Sequence, residues 1–92
     1  MSRPRIISFK TVLQRGNRVQ VPKFVRLQFK IEANQVLKVG IQGIEFGRGW
    51  QYFYARIGKD GRISIPKLTQ ALLLAEKPRL AGAVFSVTLE TT

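Results

Sequence analysis

The chain has 92 residues, with sixteen Lys and Arg against five Asp and Glu, a net charge of +11, and neither cysteine nor histidine. That length makes one small domain with a modest core, and a hydrophobic content of 45% argues for a folded chain rather than a disordered one. Disulfides and thiolate chemistry are excluded, and no apolar run approaches the roughly 20 residues that a membrane span needs.

MSRPR at the start lacks the apolar segment of a secretory signal, so a cytoplasmic protein with no membrane partner is expected. The charge is spread along the chain: residues 1–46 hold nine basic and two acidic groups, residues 47–92 seven and three. Such a surplus in a compact domain repels itself, and a polyanion relieves the repulsion. The plain alternative is that the charge serves general solubility, or adaptation to a hot or salty cytoplasm. Arg3 and Arg5 at the start read either as a frayed basic tail or as an arm for a DNA minor groove.

The first predicted element is a strand with Ile7, Phe9, Thr11 and Leu13 on one face. Val19 and Val21 share a face of the next. A three-residue loop, Arg15-Gly16-Asn17, keeps both apolar sets on one side by pairing Leu13 with Val19 and Thr11 with Val21. Such loops carry a type I turn followed by a left-handed residue, which suits Asn17. The strand ends at Pro22, which fits the first turn of a helix. In that helix Phe24, Leu27 and Ile31 form the apolar stripe, with Arg26 and Lys30 outside it. A strand over Val36–Ile41 follows.

The chain then says the same thing again. "NRVQVPK" at residues 17–23 returns as "GRISIPK" at residues 61–67, and Pro22 and Pro66 stand 66 − 22 = 44 residues apart. At that offset Phe9 matches Phe53, Arg18 matches Arg62, Lys23 matches Lys67 and Glu32 matches Glu76. A chain this short that repeats itself reads as two copies of one unit. The second copy has Lys59-Asp60-Gly61 as its loop, pairing Ile57 with Ile63 and Ala55 with Ile65. Leu68, Ala71, Leu72 and Ala75 form its helical stripe, and Val84–Leu89 its last strand. Four extra residues around Leu80-Ala81-Gly82-Ala83 lengthen the final connection.

Each unit is therefore ββαβ, the first over about 6–41 and the second over about 51–90, with 42–50 as the join, all in one domain spanning 1–92. A half of this size cannot easily support a core alone. The expectation is a mainly β chain with two short helices, closed into a six-stranded barrel that leaves no strand edge exposed. With both halves in one chain, a monomer is expected.

A hairpin followed by G-R-hydrophobic-x-hydrophobic-P, a short helix and a strand resembles the AbrB/SpoVT-type swapped-hairpin DNA-binding fold. "KDGRISIPK" is the better match and "RGNRVQVPK" a degraded copy. The wider group is the cradle-loop barrels, and the whole chain looks like a small archaeal RIFT-type barrel, the topology favoured by that resemblance. The resemblance implies DNA binding and transcriptional regulation. In it, basic residues at the turn and the following helix contact DNA, which here are Arg15, Arg18, Lys59 and Arg62, and more loosely Lys23, Lys67 and Arg26. Gln70 stands where Arg26 stands in the first copy. The translation-factor relatives among these barrels leave RNA as an alternative.

The residues add a second set of candidates. With Phe53, Ala55 and Ile57 inward, Tyr52, Tyr54 and Arg56 face outward, and Arg62 and Ser64 of the neighbouring strand would join them. Rings alternating with guanidinium groups suit bases and phosphates; half-buried tyrosines under a helix or terminus are the plain alternative. Trp50 reads either as a plug at a barrel end or as a stacking residue beside Arg48. Asp60 is explained by turn chemistry. No phosphate-cradling loop, metal-ligand cluster or cofactor motif occurs, so a non-enzymatic protein is expected, with a ligand- or protein-binding barrel as the rival class.

Overall fold

A computed structural model describes residues 6–44, 49–76 and 82–91. Its elements are β1 (Ile6–Val12), β2 (Arg18–Gln20), α1 (Lys23–Gln28), β3 (Val36–Gly43), β4 (Gln51–Arg56), β5 (Arg62–Ser64), α2 (Lys67–Glu76) and β6 (Val84–Thr91). The protein is mainly β with two short helices, and no described helix is long and apolar enough to cross a membrane.

The two loops close as three-residue connections. Gln14 N–H donates to Arg18 O at 2.8 Å, and Gly58 N–H donates to Arg62 O at 2.9 Å. Asn17 at φ 56° and Gly61 at φ 79° supply the left-handed third positions. The first loop departs from the expected type I turn. Gly16 is also left-handed, at φ 81°, so the Gln14–Asn17 turn has the positive φ at its third residue that marks type II.

Beyond these tips the expected hairpins do not continue. Leu13 N–H donates to Ala83 O and Val21 N–H to Gly61 O, both at 2.9 Å, while Ile57 N–H donates to Gln35 O at 3.0 Å. Thr11 therefore sits opposite Phe85 rather than Val21, and Ala55 opposite Leu37 rather than Ile65. The strands form an open four-stranded antiparallel sheet, ordered β1-β6-β3-β4, and a separate ribbon of β2 with β5.

The closed six-stranded barrel expected from the repeat is thus not formed, in RIFT-type or any other topology. Pro22 and Pro66 stop β2 and β5 after three residues, because proline brings no N–H to a ladder. The two short strands pair with each other, and β1 and β4 remain as sheet edges.

Every strand pairing joins the first half of the chain to the second. Val19 pairs with Ile63, its equivalent at an offset of 44, and Gly40 pairs with Thr88. That second offset is 88 − 40 = 48, so the last strands carry the expected four-residue lengthening, although residues 77–81 lie outside the described residues. A pseudo-two-fold axis runs through both pairs.

Between the sheet and the ribbon lies one core. Leu37, Val39 and Ile41 of β3 and Phe85, Val87 and Leu89 of β6 meet Val19, Val21, Ile63 and Ile65, all buried. The helices present a different face from the one expected. Val25, Thr69 and Leu73 are buried, whereas Phe24 and Leu27 are each 69% exposed and Leu68 and Leu72 are exposed too. Of the first expected stripe only Ile31 is buried, and it lies past the end of α1. Val25 and Thr69 are equivalent positions, three residues past Pro22 and Pro66. The strand that enters each proline sets the roll of the helix, so the third residue meets the core whatever its polarity.

Candidate nucleic-acid interface

The ribbon builds the first surface. Val19 and Ile63 point inward and are fully buried, so their neighbours along each strand point outward. The register sets Arg18 opposite Ser64 and Gln20 opposite Arg62. The two arginines therefore lie diagonally on one face, related by the pseudo-dyad. Arg15 and Lys59 sit exposed at the two loop tips, and Lys23 and Lys67 are exposed at the starts of the helices. Gln20 Nε2 donates to Asp60 O at 2.8 Å and ties the ribbon to the second tip.

The two arginines differ in their surroundings. Arg62 Nη1 stands 3.1 Å from Asp60 Oδ2, the one ion pair among the described residues. Asp60 Oδ1 accepts the Arg62 backbone N–H at 3.1 Å. That backbone donation and the neighbouring guanidinium hold the Asp60 carboxyl below its usual value. At the equivalent place in the first copy stands Gly16, and among the described residues Arg18 has no ion pair.

Arg26 is drawn into the structure. Its Nε donates to Val21 O at 3.2 Å, and its guanidinium lies over Gly61, where a Cβ would stand 2.5 Å from Cζ. Gln70, its equivalent, donates from Nε2 to Ile65 O at 2.7 Å and accepts from Asn17 Nδ2 at 2.9 Å. Each helix thus clasps the loop tip of the other half. The departure from the pattern at Gln70 is the same device carried by a neutral side chain.

Tyr52, Tyr54 and Arg56 lie elsewhere. β4 pairs with β3 and not with β5, so these three share the outer face of the four-stranded sheet, away from Arg62 and Ser64. Tyr52 and Tyr54 are 59% and 66% exposed. Trp50 plugs no barrel end; it is half-buried and stacks on Tyr52, with centroids 6.4 Å apart and planes 25° apart. Lys38 Nζ stands 5.5 Å from the Tyr52 centroid, and Arg56 Nη1 donates to Asn34 O at 3.1 Å.

Gly40 makes this arrangement possible. A Cβ there would collide with Thr88 Oγ1 and stand 2.8 Å from Tyr52 Cε1, so the ring lies across the bare glycine. Lys10, Lys38 and Gly40 belong to this face and escaped the sequence reading. Lys38 was detectable as the one cation breaking the apolar run of β3. Arg3, Arg5 and Arg48 lie outside the described residues.

No family model matches the chain, and none of the curated proteins searched matches it. The chain is similar to PHS018 from Pyrococcus horikoshii, known from its solution structure, at 28% identity and a TM-score of 0.68 over 89% of this chain and 86% of that one. The likeness spans most of both chains and assigns no activity.

Proposed function

We propose that the chain is a non-enzymatic nucleic-acid-binding protein that holds duplex DNA against the β2–β5 face and serves as a cytoplasmic transcriptional regulator. The observation that carries this reading is the pseudo-symmetric placement of Arg18 and Arg62 on one ribbon between two basic loop tips. A two-stranded ribbon is narrow enough to enter the major groove. A two-fold arrangement of cations also matches the two-fold relation between the strands of a duplex. A single molecule of the chain supplies both halves.

In this reading six cations contact the duplex: Arg15, Arg18, Lys59 and Arg62 of the ribbon and its tips, and Lys23 and Lys67 at the helix starts. Asp60 already neutralises one of them, which leaves about five phosphates to be contacted. At about −0.9 per phosphate, log K falls against log salt with a slope near −4.5, a loss of about 500-fold between 50 and 200 mM salt. Fluorescence anisotropy of a labelled duplex across that range tests the reading. Arg18→Ala flattens the slope by about one. A salt-independent affinity refutes phosphate contact, and structured RNA outcompeting the duplex at one ionic strength reassigns the polymer.

A further inference from the structure

The outer face of the four-stranded sheet has no part in that contact, yet it carries what the ribbon lacks: exposed rings. We infer that this face is a second, separate site that takes the unpaired bases of a single-stranded nucleic acid. Tyr52 and Tyr54 alternate along the edge strand β4, with Trp50 one residue before it, so the Cα atoms of the two tyrosines stand about 6.8 Å apart. This is twice the 3.4 Å rise per nucleotide in a duplex strand. Bases seated on successive rings are pulled apart from one another, and only a strand free of its complement can do this.

The polar groups around the rings fit the rest of a nucleotide. A shallow hollow of about 290 Å³ lies between Trp50 and the side chains of Ser8, Lys10, Ser86 and Thr88. A second, of about 250 Å³, is bounded by Lys38, Tyr52, Gly40 and Glu90 among others. The hydroxyls of Ser8, Ser86 and Thr88 offer partners to base edges and sugars, Phe9 and Val87 add apolar surface, and Lys10 and Lys38 offer charge to phosphates. Among the described residues Glu90 is the one acid lining either hollow. Tyr52 lies across Gly40 and beside Trp50 while staying 59% exposed, so part of its side-chain freedom is already lost before binding.

Trp50 is the sole tryptophan, so its emission reports on the site directly. The intact protein is titrated with a ten-nucleotide oligothymidylate. Saturable quenching is expected, and Tyr52→Ala and Tyr54→Ala each weaken it by about 5- to 150-fold, the range that one base–ring stack carries. Tyr54 has no hydrogen bond or ring contact among the described residues, so its replacement tests the site even if Tyr52→Ala unfolds. The double variant Arg18→Ala/Arg62→Ala keeps oligothymidylate affinity within about threefold, since those arginines sit on the other side of the core, while it loses the duplex. The inference is overturned by absent quenching, by quenching unchanged in Tyr54→Ala, or by emission that follows protein concentration alone, which would make the face a contact between copies. Duplex binding is read separately by anisotropy, so either site can fail without the other.

Discussion

Gly40 is where the outer face can be tested most sharply by stability. It lies in the middle of β3, with Thr88 of β6 opposite on one side and Tyr52 of β4 on the other. A Cβ at Gly40 meets Thr88 Oγ1 and comes within 2.8 Å of Tyr52 Cε1. Thr88 is short and β-branched and yields little, so the Tyr52 ring must lift from the strand. Overpacking of this kind costs about 1–3 kcal/mol. Against it, alanine regains about 0.5–1 kcal/mol of the backbone entropy that glycine loses in a strand. Gly40→Ala is therefore destabilising by about 1–2 kcal/mol, a fall in Tm of about 5–15 °C for a domain of this size.

Gly49→Ala is the matched control. Among the described residues nothing stands within 4 Å of a Cβ added there, so its Tm stays level or rises slightly. Adding Thr88→Ala to Gly40→Ala removes one of the two colliding atoms and restores about half of the loss, a coupling of at least about 0.5 kcal/mol. Thermal unfolding followed by far-UV circular dichroism gives the Tm values, and Trp50 emission reports whether its stack with Tyr52 has opened. Gly40→Ala melting at or above the wild-type Tm with Trp50 emission unchanged would refute the packing of Tyr52 across Gly40.

Two further outcomes follow from the helix roll and the second loop. Val25→Ala removes two buried methyl groups at about 0.8 kcal/mol each and leaves a small cavity, costing about 2 kcal/mol; Phe24→Ala, one position earlier and exposed, stays within about 0.5 kcal/mol. Urea unfolding ranks the two, and the reverse order would mean that the other helix face is buried. The Asp60 carboxyl titrates lower in the folded chain than its ordinary value of 3.8. Its contribution is thus present above about pH 4 and is lost as the pH falls through the lowered value. The Tm difference between wild type and Asp60→Asn narrows on acidification below that point, and a gap constant from pH 7 to pH 2 would show that the carboxylate is not stabilised by its partners.

Much of the local structure was written in the sequence. The repeat at an offset of 44, the three-residue loops ending at Asn17 and Gly61, the strand ends at Pro22 and Pro66 and the inward faces of most strands are all present as expected. These features depend on a residue's own φ preference or on period-two alternation, both of which act within a few residues. Alternation also explains why Tyr52 and Tyr54 could be placed facing outward before any partner strand was known.

Which strand lies beside which was not legible in this way. The pattern of β1 is satisfied equally by β2 and by β6, because it states which face is buried and nothing about the neighbour. The choice went to β6 and β3, long enough to form full ladders, over β2 and β5, cut to three residues by proline. With it went barrel closure and the shared face of Tyr54 and Arg62. The helix roll had the same non-local origin: Leu68, Ala71 and Leu72 form a good apolar stripe, yet the entering strand turned Thr69 and Leu73 to the core instead. Arg26 shows it for a single side chain. Its charge could be read from the sequence, but that its guanidinium would be spent on Val21 O and Gly61 was decided only when the second half of the chain folded against the first.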